Sequence, residues 1–291
     1  MKKTILVTGS TGFIGRNLTR NLQDRYQILA PTHTELELIN TKAVESYFSA
    51  HSIDCIVHTA VVGGSREEEH VDHDLSTNLR IFFNIVRCSR YFKKMIHFGT
   101  GAEYDKTRSL KRVKETSFGE SVPPDNYGLF KYIAGSYVEH TSSPIVNLRL
   151  FSIFGHYEDY RYRFISNIIA KIVWNRPLTM YQDAYFDYMY IDDLMPIVDY
   201  FITHRCTYRS YNIGTGVRRK LSDIASLIKQ VAHCESEISV AKKGMNFEYT
   251  PDITRLRSEI PSLRFSDFDD QVKKLYSWYT KHKKLIDPNS L

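Results

Sequence analysis

The chain has 291 residues, of which 42% are hydrophobic and 25% charged, a composition typical of a globular enzyme and not of a disordered or fibrous protein. Its formal net charge of +6 favours anionic ligands, but the basic residues are spread along the chain and predict no nucleic-acid partner. No run approaches the roughly 20 apolar residues of a membrane helix, and the chain turns polar after Val7, too early for a signal-peptide core, so we expect a cytoplasmic protein with no membrane partner.

Strands and helices alternate in the first half of the chain. Residues 4–7 are a β-branched run, and the glycine-rich turn that follows leads into Ile14, Leu18 and Leu22 at helical spacing. The same criteria predict strands over 27–30, 55–58, 95–98 and 145–150 and helices over 41–50, 75–86 and 127–140. Because the strands are short apolar runs without polar alternation, they indicate a parallel, doubly wound α/β sheet.

The pattern changes after about residue 155, where short strands lie between helices. It predicts strands over 178–181, 186–191 and 211–213 and helices over 164–174, 194–201 and 224–231. Asp192 and Ser222 are the predicted N-caps of the last two helices. We therefore divide the chain into a first domain over 1–160, to which some later segments return, and a smaller C-terminal α/β domain over 161–291.

The turn after the first strand is the strongest local signal of a binding site. Gly9 permits the tight turn, Gly12 lets the backbone approach a pyrophosphate, and Gly15 lets the helix pack closely on the strand. The N-terminus of the following helix attracts anions through its dipole and its free N–H groups. The turn therefore predicts dinucleotide binding, and we assign to it also the intervening and following residues Thr11, Phe13, Ile14 and Arg16.

The end of the second strand indicates which dinucleotide is preferred. An acidic residue there would bind the ribose hydroxyls of NAD, whereas this chain has Ala30-Pro31-Thr32-His33 and no carboxylate before Glu35. This favours NADP over NAD, with His33 and Arg16 as candidates for the 2′-phosphate. The alternative interpretation is that both are solvated surface residues.

A second group of residues has the chemistry of an acid–base site. Thr100 directly follows the fourth strand, and Tyr127 and Lys131 lie four residues apart on one face of the next helix. A lysine ammonium beside the phenol is expected to lower its pKa by about 1 to 3 units, which makes Tyr127 a usable acid or base. Thr100 would bind the substrate oxygen, and Lys131 would also hold the nicotinamide ribose. Tyr279 and Lys283 have the same spacing but no glycine turn or strand end near them, so we assign them no function.

Short motifs across nearly the whole chain resemble those of the extended short-chain dehydrogenase/reductase family. They are TGSTGFIG at 8–15, His58-Thr59-Ala60, Asn78, Thr100, Tyr127-xxx-Lys131, YMYIDD at 188–193 and YNIG at 211–214. Within the family the chain resembles the nucleotide-sugar epimerases, dehydratases and 4-keto reductases, and ELEL at 35–38 with VVGG at 61–64 resembles the GDP-fucose synthase group.

The resemblance implies a Rossmann-type fold whose C-terminal domain binds a nucleotide sugar. It implies that Asn78 supports the active-site helix, that Ala60 backs the nicotinamide, and that His58 belongs to the cofactor site. It also implies a homodimer formed through the helices at 75–90 and 127–140. The substrate-binding positions that it suggests are Gly63, Ala102, Ser152, Arg161, Arg163 and Tyr188.

Departures from the family pattern bear on the reaction type. Dehydratases of the family carry Asp-Glu directly after the catalytic Thr, where this chain has Gly101 and Ala102, so we predict that it is not a dehydratase. GDP-fucose synthases have at position 102 a Cys that is tied to epimerisation, and its absence argues against double epimerisation. Ser152 and Phe186 replace the usual Asn and Arg, so the diphosphate contacts must come from elsewhere, with Arg149, Arg161 and Arg163 as candidates or else as plain surface arginines.

Two other features carry alternative interpretations. The aromatic residues at 181, 185, 186, 188 and 190 could stack on a nucleobase, although alternating strand aromatics more often pack in a core. His70 and His73 have helical spacing in a polar, acidic stretch, which favours a solvated face, and the four cysteines form no CxxC pair. We predict no metal site.

We conclude from the sequence that the chain is an NADP-preferring reductase of the 4-keto group of a nucleotide-linked 6-deoxyhexose. The cofactor would supply hydride and Tyr127 the proton. One alternative is a nucleotide-sugar 4-epimerase with tightly bound NAD, which would use the same residues. Another is a non-catalytic nucleotide-binding protein, because a fold alone does not determine function.

Overall fold

The computed structural model describes residues 2–63 and 74–291. Its strands are β1 (Thr4–Thr8), β2 (Gln27–Leu29), β3 (Ile53–His58), β4 (Phe92–Thr100), β5 (Leu110–Val113), β6 (Ile145–Leu150), β7 (Ser152–Phe154), β8 (Leu178–Asp183), β9 (Tyr185–Phe186), β10 (Tyr188–Tyr190), β11 (Ser210–Ile213), β12 (Arg219–Lys220), β13 (Ile238–Met245) and β14 (Tyr249–Pro251). Its α-helices are α1 (Phe13–Leu22), α2 (Thr41–Ala50), α3 (Asp74–Val86), α4 (Asn126–His140), α5 (Phe164–Val173), α6 (Ile191–Thr203), α7 (Leu221–Val231), α8 (Thr254–Glu259) and α9 (Phe268–Lys281).

The main sheet is parallel and has the strand order β2-β1-β3-β4-β6-β11. This confirms the predicted doubly wound α/β fold. The chain leaves β1 for β2 on one side and returns to β3 on the other, so the strand order reverses at β1. In open α/β sheets, ligands bind at the carboxyl ends of the strands at such a reversal.

The two faces of the sheet bury different apolar side chains. Along β1, Ile5 and Val7 belong to one core and Leu6 to the other, as expected when successive side chains of a strand point to opposite faces. Helix α1 packs on the first face, and helices α2, α3 and α4 pack on the second. Because both faces are covered, the strands are apolar runs without the polar alternation of a solvent-exposed sheet.

The smaller sheet joins segments that are distant in sequence. Its order is β12-β9-β14-β5, and β5 pairs with β14 although β5 lies within the first predicted domain. Strand β11, which lies in the second predicted domain, belongs to the main sheet. The division at residue 160 stays a prediction, and the pairing of β5 with β14 brings residues 101–113 beside the C-terminal segment.

The structure corrects several boundaries. The predicted strand over 186–191 is split into β9 and β10, and between them the buried Asp187 accepts hydrogen bonds from Thr215 and Gly216. Asp192 is not an N-cap, because α6 begins at Ile191, and its carboxylate instead pairs with Lys274. Ser222 likewise lies inside α7, which begins at Leu221. Within the ranges 2–63 and 74–291, the structure shows no helix with the length and apolar character that crossing a membrane requires.

Candidate active site

Loops at the carboxyl ends of neighbouring parallel strands surround one edge of the main sheet. The glycine turn follows β1, residues 59–63 follow β3, Thr100 ends β4, and Ser152 comes two residues after the end of β6. These strands are adjacent in the sheet, so their loops converge at the strand reversal. The predicted cofactor and catalytic residues are therefore on the same edge.

The glycine turn has the backbone geometry that its sequence predicts. Gly9 has a φ of +68°, and a Cβ at this position would lie 2.7 Å from the backbone of Ala60. The Gly12 amide donates to the Gly9 carbonyl at 3.1 Å, which closes the turn. Only glycine at position 9 satisfies both the left-handed backbone and the close approach of the loop after β3.

The start of α1 fits the pyrophosphate of a dinucleotide. Gly12 is its N-cap, no side chain caps its free N–H groups, and no acidic residue lies in its first turn. Gly12 and Thr11 are exposed, Phe13 and Ile14 are half-buried, and Gly15 is buried in the first turn of the helix. The N–H groups and positive dipole end of α1 are thus directed to the same edge as the predicted catalytic residues, with no acidic residue in the first turn of the helix.

The cations proposed for the 2′-phosphate lie in different surroundings. The Arg16 guanidinium carbon is 4.5 Å from the centroid of the Tyr157 ring. The His33 side chain is 85% exposed, with Nδ1 3.7 Å from a carboxylate oxygen of Glu37. Glu35 folds back so that its carboxylate accepts the Thr32 amide at 2.7 Å, which places a negative charge closer to the end of β2 than its sequence position suggests.

The loop after β3 is held by buried polar groups. Both ends of the Asn78 amide bond to Val62, accepting its N–H at 2.9 Å and donating to its carbonyl at 2.8 Å. Asn78 therefore fixes this loop, which includes Ala60 and Gly63, and its predicted support of the active-site helix stays a prediction. The buried His58 ring bonds to the Thr8 hydroxyl at 2.7 Å, so we expect only its backbone to be available to a cofactor.

The three predicted catalytic residues come together at the end of β4. Thr100 and Tyr127 lie near enough for the Thr100 hydroxyl to lower the pKa of the Tyr127 phenol. The Lys131 ammonium lies 5.8 Å from the centroid of the Tyr127 ring and donates to the Phe98 carbonyl at 2.6 Å. Asp125 caps α4 by accepting the Gly128 amide at 2.8 Å, which anchors the first turn that carries Tyr127.

The expected lowering of the Tyr127 pKa is wrong. Burial raises the pKa of Tyr127 and outweighs the opposing effects of the Arg163 charge and the Thr100 hydrogen bond. Burial also lowers the pKa of Lys131 to about 8. The phenol therefore holds its proton at neutral pH, because removing it would create a buried anion.

Arg149 is not a diphosphate ligand, which corrects one of the three arginine candidates. Its side chain is fully buried, and its Nε lies 2.6 Å from the carboxylate of Glu103, which is also fully buried. Nη2 lies 3.2 Å from Glu139. Glu103 in turn accepts the Thr100 amide at 3.0 Å. The ion pair thus braces the end of β4 from inside the protein and presents no charge to a substrate.

The other substrate candidates lie on the C-terminal side of the site. Arg163 is close enough to Tyr127 for its charge to lower the pKa of the phenol. Arg161 forms a two-point contact with Asp159, at 2.9 Å for each nitrogen. Ser152 pairs in register with Tyr188 in the β7–β10 ladder, and Ala102 is buried. Their roles in substrate binding stay predictions.

Only part of the aromatic run packs in the core, and its stacking on a nucleobase stays a prediction. Phe186 and Tyr188 are stacked with ring centroids 5.7 Å apart, and Tyr190 is buried against Phe154. Tyr181 is 65% exposed, and the Arg218 guanidinium lies 3.3 Å from the centroid of the Tyr185 ring. Tyr188 and Tyr190 are therefore core residues, whereas Tyr181 is exposed.

No sequence motif points to Tyr249, although its hydroxyl lies 3.3 Å from that of Thr100. Its ring packs against Phe151 and Phe186, with centroids 4.9 and 5.6 Å away. Tyr249 is 149 residues from Thr100, and the pairing of β14 with β5 and β9 brings it to the site. No local spacing motif could have identified it.

Among residues 2–63 and 74–291, no group of three or more His, Cys, Asp or Glu side chains could hold a metal ion. His70 and His73 lie outside the described residues.

Comparison with known proteins gives a family and a common architecture. Residues 5–214 match the NAD dependent epimerase/dehydratase family. A putative GDP-L-fucose synthase 2 of Arabidopsis thaliana is 23% identical over 312 residues, covering 96% of this chain and 92% of the relative. The structure is similar to that of a GDP-mannoheptose C4 reductase from Campylobacter jejuni with NADP bound, at a TM-score of 0.83 and 19% identity, covering 96% of this chain and 98% of that one. A UDP-glucose 4-epimerase from Thermotoga maritima also has a TM-score of 0.83, with 20% identity and coverage of 97% and 100%.

Proposed function

The chain belongs to the NAD-dependent epimerase/dehydratase family, whose members include NAD(P)-dependent nucleotide-sugar enzymes, and from that premise we propose that it is a nucleotide-sugar reductase. Its substrate is the 4-keto group of a nucleotide-linked 6-deoxyhexose, and NADP is its preferred cofactor. The names of similar proteins, a GDP-L-fucose synthase and a GDP-mannoheptose C4 reductase, support the substrate class.

The observation that carries this proposal is the convergence of Thr100, Tyr127 and Lys131 at the end of β4, next to positions 101 and 102, which have no ionisable side chain. Tyr127 lies beside the Thr100 hydroxyl, and burial raises its pKa. A phenol that keeps its proton is poised to donate it to an oxygen that gains negative charge, as in carbonyl reduction. The first step of an epimerase would instead require Tyr127 to remove a proton from a sugar hydroxyl.

Each residue of the group then has a distinct task. When bound, NADPH supplies the hydride, and the glycine turn with the start of α1 would hold its pyrophosphate. Thr100 donates a hydrogen bond to the carbonyl oxygen, and Tyr127 delivers the proton to that oxygen. The buried Lys131 ammonium stabilises the negative charge that Tyr127 acquires on losing its proton.

The two residues after Thr100 argue against dehydration and against inversion at C3 or C5. Gly101 and Ala102 have no ionisable side chain, so neither can remove the proton from C5 of a sugar or protonate a departing hydroxyl. The nearest carboxylate in sequence, Glu103, is engaged with Arg149 in the protein interior. We therefore assign to the enzyme neither dehydration nor inversion at C3 or C5.

We expect the purified protein to consume one NADPH for each nucleotide-linked 4-keto-6-deoxyhexose that is converted, with C3 and C5 unchanged in the product. Absorbance at 340 nm and NMR of the product measure both quantities, and an unmodified nucleotide hexose is the control for dehydration. Accumulation of a 4-epimer from a simple UDP-hexose without net loss of NADPH would replace the reductase by the epimerase. Inversion at C3 or C5 would contradict the inference that a chain with Ala102 at this position, and no ionisable side chain, does not epimerise these carbons.

We also expect NADPH to bind at least tenfold more tightly than NADH, a difference of about 1.4 kcal/mol. Arg16 has no carboxylate partner among the described residues, so its charge is available to a phosphate. Fluorescence titration of both cofactors measures the ratio, which Arg16→Gln should reduce. Arg20→Gln, one helical turn farther along α1, is the control because the Arg20 guanidinium already bonds to the Tyr157 hydroxyl. Tighter binding of NADH would refute the preference and point to Glu35 as a ribose ligand.

A further inference from the structure

Thr100 lies between two phenols. Its hydroxyl lies 3.3 Å from the Tyr249 hydroxyl on one side, and on the other it is near enough to Tyr127 to lower the pKa of that phenol. Tyr249 is not part of the Thr-Tyr-Lys group, and the mechanism proposed above does not use it. The Tyr249 hydroxyl thus contacts a side chain of the proposed mechanism, and we therefore consider how it affects Thr100.

The position of this phenol is tightly determined. A Cβ at Gly101 would lie 2.6 Å from the Tyr249 hydroxyl oxygen and 2.7 Å from Cε1 of Phe151. The phenol therefore occupies the space in which a side chain at position 101 would stand. Because the Tyr249 ring also packs against Phe186, and its strand pairs with β5 and β9, the hydroxyl is held by the small sheet.

The chemistry of a threonine hydroxyl decides what a second phenol can do. Such a hydroxyl has one proton to donate and two lone pairs that accept. If Thr100 gave its proton to Tyr249, it would have none for a substrate oxygen. Burial raises the pKa of Tyr249 well above its ordinary value, so this phenol stays protonated and can act as the donor.

We propose that Tyr249 is a positioning residue whose hydroxyl donates to Thr100 Oγ1. The single Thr100 proton is then directed toward Tyr127 when no substrate is bound and toward the carbonyl oxygen when the keto sugar is bound. This inference rests on the proposed reductase function. Hydrogen bonds in such a chain polarise one another, so the bond from Tyr249 strengthens the one that Thr100 donates. Tyr249 thereby acts on the reaction through Thr100 without transferring a proton to the substrate.

Tyr249→Phe tests the proposal because it keeps the ring that packs on Phe151 and removes only the hydroxyl. We expect kcat for the keto sugar to fall about 3- to 10-fold, the usual range for one hydrogen bond, while KM changes less than twofold. In a Thr100→Val background the same change should have no further effect on kcat. Equal losses in both backgrounds, or an unchanged kcat in the single variant, would overturn the inference.

A second measurement needs no substrate and separates this inference from the proposed function. With ¹³C-labelled tyrosine, the Tyr127 signal, identified by its loss in Tyr127→Phe, reports the pKa of that phenol. Tyr249→Phe should raise this pKa further, because the phenolate loses part of its hydrogen-bond support. Tyr104→Phe, which removes another buried hydroxyl bonded to Asn212 at 2.7 Å, should not change it. If Tyr249→Phe raises the Tyr127 pKa but the protein reduces no 4-keto sugar, the reductase function is rejected and the positioning role of Tyr249 stands. If the protein reduces the keto sugar but the Tyr127 pKa does not change, only the positioning role of Tyr249 is rejected.

Discussion

Tyr127→Phe is expected to lower the rate of carbonyl reduction by a factor of about 10² to 10⁴, the usual contribution of a general acid. The change removes one oxygen atom and leaves the half-buried ring in place at the start of α4. Cofactor affinity should therefore stay within a few-fold of the wild type. Single-turnover oxidation of NADPH measures the rate, and titration without substrate measures the affinity.

Tyr279→Phe is the matched control for this change. Tyr279 precedes Lys283 by the same four positions, but it lies in α9 and is buried in the core of the C-terminal part. We expect Tyr279→Phe to leave the rate unchanged. If Tyr127→Phe kept half of the wild-type rate, the proton would have to come from another group, and Tyr249 would be the first candidate because its hydroxyl contacts Thr100.

Arg149→Met is expected to lower the free energy of unfolding by about 3 to 5 kcal/mol, the cost of leaving one partner of a buried ion pair unpaired. Glu103 and Arg149 are both fully buried, and the carboxylate of Glu103 also accepts the Thr100 amide. Removal of the guanidinium leaves a negative charge in the interior next to the catalytic threonine. Urea denaturation followed by circular dichroism measures the loss.

The exposed pair of Arg90 and Glu45 is the control for this prediction. These side chains are 67% and 57% exposed, with a separation of 3.0 Å, so Arg90→Met should change the free energy of unfolding far less than Arg149→Met does. In the double variant Glu103→Leu/Arg149→Met, the uncompensated charge is absent, and we expect much of the stability to return. If Arg149→Met and Arg90→Met lowered the free energy of unfolding equally, the buried ion pair would contribute no more to stability than the exposed one.

The main sheet could be predicted because its signals are local. Strands β1, β3, β4 and β6 each contain a short, largely apolar run, whereas β5, with the sequence LKRV, does not and was not predicted. The glycine turn joins β1 to α1 at positions that adjacent residues determine. Helix starts were harder, because Asp192 and Ser222 are good caps by residue type and yet lie inside their helices. Capping preference is worth only about 1 kcal/mol, which contacts elsewhere in the fold readily outweigh.

The α/β class, the glycine turn and the Thr-Tyr-Lys spacing can be predicted from local sequence, since these depend on strand and helix periods and on spacings of a few residues. The tertiary structure decided that Arg149 is an internal partner of Glu103, that Tyr127 keeps its proton, and that Tyr249 reaches Thr100. The protonation of Tyr127 depends on burial. The Arg149–Glu103 pair joins residues 46 positions apart, and the Tyr249–Thr100 contact joins residues 149 positions apart. Desolvation and long-range contact are set by the packing of the whole chain, so no local pattern records them.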